Sequence, residues 1–74
     1  MYITSEFISP AELKEHAHNQ YTELLKQLHK KIGYENLTQR LDSISLEWAE
    51  KSGYYMRIER DGDFTKYIFK HVSL

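Results

Sequence analysis

Two hydrophobic rhythms divide the chain. Residues 1–9 alternate, with Ile3, Ser5 and Phe7 to one side and Tyr2, Thr4 and Glu6 to the other. That is the two-residue period of a strand, expected over 2–8. From Leu13 the rhythm changes. Leu13, Ala17, Tyr21, Leu24, Leu28 and Ile32 recur at steps of 4, 4, 3, 4 and 4, one stripe of an α-helix. Ser9-Pro10-Ala11-Glu12 ahead of it reads as a capping box, with Ser9 and Glu12 satisfying each other's amides and Pro10 at the first helical position. Lys26, Lys30 and Lys31 sit where the helix dipole favours cations, and Gly33 offers a stop. The spacing predicts a helix over 10–32.

A second stripe follows, Leu37, Leu41, Ile44 and Trp48, ended by Gly53. Asp42, Ser43 and Ser45 are poor helix formers in its middle. The segment is either one helix, 35–51, or two short helices broken near 42–45. Residues 54–60 and 64–72 then flank Asp61-Gly62, a hairpin turn signal. A two-residue loop at either Asp61-Gly62 or Gly62-Asp63 puts Tyr54, Met56 and Ile58 on one face with Tyr67 and Phe69. Tyr55, Arg57, Glu59, Lys66, Ile68 and Lys70 then share the other. A three-residue loop would flip one strand and bring Phe64 and Ile68 inward; the first arrangement leaves both lysines in water. The expectation is a single α+β domain, 1–74, of order β-α-α-β-β. A helical hairpin packs on a short antiparallel sheet, with strand 2–8 joining the hairpin's edge and so removing one exposed edge.

Composition narrows the chemistry. The 74 residues contain no cysteine, which removes disulfides, thiolate metal sites and Cys nucleophiles. Ten Lys+Arg against eleven Asp+Glu leave a net charge of −1, a poor match to bulk polyanion binding. No apolar run is long enough to cross a membrane, and Met1–Pro10 lacks the basic start and apolar stretch of a signal peptide. A cytoplasmic protein is expected. His16 and His18 lie about 200° apart on a helix, so they cannot grip one ion. Glu12 with His16 supplies two metal ligands where catalytic zinc wants three. No serine lies in a nucleophile elbow, and no glycine-rich phosphate loop exists. No catalytic, cofactor or metal residues are assigned, and no enzymatic activity or small-molecule substrate is expected.

Three features point to binding. The outer hairpin face sets Arg57, Lys66 and Lys70 among Tyr55 and Ile68, able to hold phosphates and stack a base; a solvated face with a Glu59–Lys66 pair explains the same residues. Lys26, His29, Lys30 and Lys31 cluster at a helix end, where the dipole alone collects cations. Leu25, Leu46 and Tyr34 lie off the two stripes, surplus apolar area that suits a partner. The leading expectation is an interaction module that regulates a partner protein by docking, as a homodimer. The alternative comes from element order. A helix, a helix-turn-helix across Leu37-Leu41-Asp42-Ser43-Ile44-Ser45-Leu46, and a lysine-bearing hairpin resemble a winged helix over residues 10–72. That resemblance implies a nucleic-acid-binding regulator, with 45–51 as recognition helix and the hairpin on backbone phosphates.

Overall fold

The computed structural model describes residues 2–73. Met1 and Leu74, the ends of the expected 1–74 domain, lie outside them. The elements are β1 (Tyr2–Ile8), α1 (Ala11–Ser52), β2 (Tyr54–Asp61) and β3 (Phe64–His71). The chain is a small α+β domain, one helical layer against one three-stranded sheet.

The expected order β-α-α-β-β and its separate helices give way to a single helical element. Only Gly33 inside it leaves helical geometry, at φ 82 and ψ 167. That region is open essentially to glycine alone. Space is not the reason, because an added Cβ would meet nothing within 4 Å. Asn36 donates from its side-chain amide to the Ile32 carbonyl at 2.8 Å, covering an acceptor that the break leaves open. No loop of several residues is needed. A straight helix of 42 residues would span about 63 Å, yet the longest extent of the molecule is 34 Å. α1 doubles back at Gly33, so that residues 11–32 and 34–52 lie side by side. Tyr21 of the first arm and Ser45 of the second meet at 2.7 Å, oxygen to oxygen.

The second arm is not broken at 42–45, because tertiary partners there outweigh propensity. Ser45 is fully buried and gives its hydroxyl to the bond with Tyr21, while Ala17 and Ala49 are buried beside it. Small side chains at these positions let the two arms approach closely. The winged-helix resemblance therefore loses its helix-turn-helix: residues 37–51 run as continuous helix. The capping box does not form either. Pro10 itself is the N-cap, so the helix starts one residue later than expected and the Ser9–Glu12 spacing no longer matches. Leu13 and Lys14 donate their amides to the Pro10 carbonyl instead. At the far end, Gly53 adopts the left-handed conformation and donates to Ala49, the expected stop.

The sheet is mixed rather than antiparallel, in the order β1-β3-β2. β2 and β3 form the hairpin, with Asp61 opposite Phe64 and a two-residue loop between them. β1 runs parallel to β3, placing Ile3, Ser5 and Phe7 beside Thr65, Tyr67 and Phe69. This inner face meets α1. Phe69, on the central strand, is 0% exposed. Phe7 stacks on it at 5.0 Å, and Tyr21 and Trp48 reach it from α1 at 5.0 and 5.2 Å between ring centroids. Tyr54 stacks on Trp48 at 5.6 Å and closes the aromatic cluster. Two positions of the helical stripe differ from expectation: Leu13 is 40% exposed, and Leu25, expected off the stripe, packs against the core in place of Leu24.

Candidate functional site

Register alone assembles the outer face of the sheet. Along β3, residues 65, 67 and 69 point to α1, so Phe64, Lys66, Ile68 and Lys70 point away. β2 sets Asp61, Glu59, Arg57 and Tyr55 opposite them, and β1 sets Tyr2, Thr4, Glu6 and Ile8 alongside. All five residues expected to bind, Tyr55, Arg57, Lys66, Ile68 and Lys70, therefore share one surface. Tyr55 stands out from it at 67% exposed, directly across from Lys70. Ile68 does not: it is 7% exposed, roofed by the longer side chains around it on the central strand.

The electrostatics differ from the expected basic patch. Arg57 bonds the Glu59 carboxylate at 3.1 Å, and Lys66 lies 3.6 Å from Glu6. The expected Glu59–Lys66 pair stands in register but both members have turned to other partners. Lys70 has no ion pair among the described residues. Three cations thus face three carboxylates, Glu6, Glu59 and Asp61. The apolar content is larger than expected. Tyr2 and Phe64 stack at 5.1 Å at one end, both more than half exposed, and Ile8 stands exposed at the other with Tyr55. Residue parity in the sequence carries Phe64 to this face with Lys66. Tyr2 and Ile8 needed the parallel pairing of β1, which no local signal specifies.

A second polar group was not singled out from the sequence. Asp42 accepts a hydrogen bond from the Tyr67 hydroxyl and another from Arg60 at 2.7 Å. It ties α1 to the end of the hairpin. The Tyr67 hydroxyl, with Arg60 behind it, holds the Asp42 carboxyl below the usual carboxylate range, against a smaller opposing effect of burial. Burial first, then Asp42, pushes the Tyr67 phenol well above the ordinary tyrosine value. Burial likewise raises Tyr21. The cluster joins the second arm of α1 to the hairpin.

The remaining expectations find simpler places. Lys26, His29 and Lys30 rim an open cleft of about 650 Å³ with Leu25, Tyr34 and Leu37. His16 and His18 are exposed on α1, and His18 meets the edge of Phe7 at 5.8 Å. Among the described residues no three His, Asp or Glu side chains are placed to hold a metal ion. Among the described residues no helix is long and apolar enough to cross a membrane. Compared with protein families, with curated proteins and with solved structures, the sequence finds no match.

Proposed function

We propose that this chain is a non-enzymatic docking module that regulates a partner protein through the outer face of its sheet. One observation carries the reading: Tyr2, Ile8, Tyr55 and Phe64 stand exposed on a face whose charges balance, three against three. Aromatic side chains in the open, set among paired charges, are what a protein interface uses as anchors and rim. A polyanion asks for something else, a row of uncompensated cations whose counterions are released on binding. Here Arg57 and Lys66 are already occupied. The partner is accordingly a protein surface with an aliphatic or aromatic centre and little net charge.

The test starts from a photo-crosslinking residue at position 55, which identifies the partner for purification. The purified partner is then titrated against the wild-type chain and against Tyr55→Asp/Phe64→Asp. Affinity is expected to fall at least about tenfold, as for loss of interface anchors. Equal affinity would remove the reading. So would the alternative outcome, salt-sensitive binding of single-stranded or duplex oligonucleotides that Lys70→Gln abolishes.

A further inference from the structure

The free edge of β1 is built to accept another strand. The Tyr2 amide donates to the Asp63 carbonyl at 2.9 Å, toward β3. In a strand the N–H and C=O of one residue point to the same side, and successive residues alternate. Tyr2, Thr4, Glu6 and Ile8 therefore spend their backbone groups on β3. Ile3, Ser5 and Phe7 turn three donors and three acceptors to the open side. The opposite edge of the sheet, β2, carries Arg57, Glu59, Arg60 and Asp61, charges of the kind that discourage strand addition. β1 carries one charge, Glu6, and neither lysine nor proline.

We infer that β1 pairs with β1 of a second copy, antiparallel, with the two-fold axis at Ser5, joining two sheets into one of six strands. This goes beyond the docking reading: the backbone edge and the outer face share only the side chains of Tyr2 and Ile8, and either reading can fail alone. Register argues for that axis. With Ser5 opposite Ser5, Ile3 falls opposite Phe7 in both directions, and all six outward backbone groups on each chain find partners. On the outer face Tyr2 then meets Ile8, both exposed in the single chain, and Thr4 meets Glu6. An axis at Glu6 would oppose two glutamates, which is unfavourable. An axis at Thr4 would leave Phe7 with no described partner.

The helix beside the edge is complementary in the same symmetry. Its first arm carries Glu12, Lys14 and Glu15 toward its start and Glu23, Lys26, Lys30 and Lys31 toward its end, a small excess of acid in one half and of base in the other. The axis lays two such arms antiparallel, so these halves face one another. Two open grooves flank Ser5 along this edge, one by Ala11, Lys14 and His18 and the other by Thr22 and Leu25, and leave room for the approach.

Sedimentation equilibrium from about 5 to about 500 µM, the range of a small interface, should show the 8.9 kDa chain mass doubling. Hydrogen exchange should slow with concentration at the amides of Ile3, Ser5 and Phe7 and not at β2. Ser5→Pro removes a central outward donor while sparing the β3 ladder, and should weaken the dimer at least about tenfold. Should that variant misfold, Thr4→Glu sets a glutamate opposite Glu6 and beside Lys66. It should weaken the dimer several-fold, and adding Glu6→Lys should restore it. A monomer at the highest concentration, or a dimer whose three amides exchange independently of concentration, would overturn the inference; neither result touches the outer-face reading.

Discussion

Phe64 and Phe69 are the same residue type on the same strand, yet one is 57% exposed and the other 0%. Five positions separate them, an odd number, and that parity sends them to opposite faces. Phe69 is held by Phe7, Tyr21 and Trp48. Phe64 has one aromatic neighbour, Tyr2, as exposed as itself. Hydrophobic residue type alone would rank the two equally. What separates them is that a domain with one helical layer can cover only one face of its sheet. The inner face folds the chain, and the outer face is left uncovered.

The difference can be measured from its strong end downward. Phe69→Ala should cost about 3–5 kcal/mol in urea unfolding, as the loss of a fully buried aromatic does. A cost under 1 kcal/mol would mean that the aromatic cluster is not the centre of the core. Next comes the bond that joins the two arms of α1. Tyr21→Phe strands the buried Ser45 hydroxyl and should cost about 1–3 kcal/mol. Adding Ser45→Ala should recover part of that loss, because both polar partners are then gone. Additive losses would show that the hydroxyls do not depend on one another.

Smaller effects come from the tie between Asp42 and Tyr67. The Asp42 carboxyl is lowered in the folded chain. Its contribution is therefore full above the unfolded value, about 3.9, and is lost as pH falls through the folded value. Tyr67 and Tyr21 are raised, so their contributions are full below about pH 10 and are lost as pH rises. Stability should sag at both ends, with Asp42→Asn flattening the acid limb and Tyr67→Phe the alkaline one. Asp42 is 49% exposed, so solvent screening should keep its limb under about 1 kcal/mol. An acid limb that Asp42→Asn leaves unchanged would place its origin elsewhere. Smallest of all are the outer-face ion pairs. Glu59→Gln or Glu6→Gln should change stability by less than about 0.5 kcal/mol, and a larger change would mean that this face carries part of the fold.

Local patterns were legible where the physics is local. Alternation in residues 2–8, most of the stripe from Ala17 to Ile32, the Gly53 stop and the parity of the hairpin follow from near neighbours and stand in the structure, with Leu25 rather than Leu24 on the core. The failures are of another kind. Asp42 and Ser45 look like helix breakers until Tyr67, Arg60 and Tyr21 are brought to them from 18 to 25 residues away. Gly33 reads as a stop with a helix resuming at 35 after a short turn; that the single glycine makes the whole turn is not signalled nearby. The five expected binding residues were legible as a group because one hairpin carries them. The pairing of Lys66 with Glu6 was not, since it depends on β1 lying parallel to β3. Ile68 misleads for the same reason: the central position of β3 buries a residue that an isolated hairpin would expose.

The most direct test of a free outer face is urea unfolding of Tyr55→Thr/Phe64→Thr, which removes two exposed aromatics and keeps strand-forming side chains. The expected result is stability within about 1 kcal/mol of the wild type, as for surface substitutions away from the core. A loss of several kcal/mol would contradict it, because those rings would then belong to the fold.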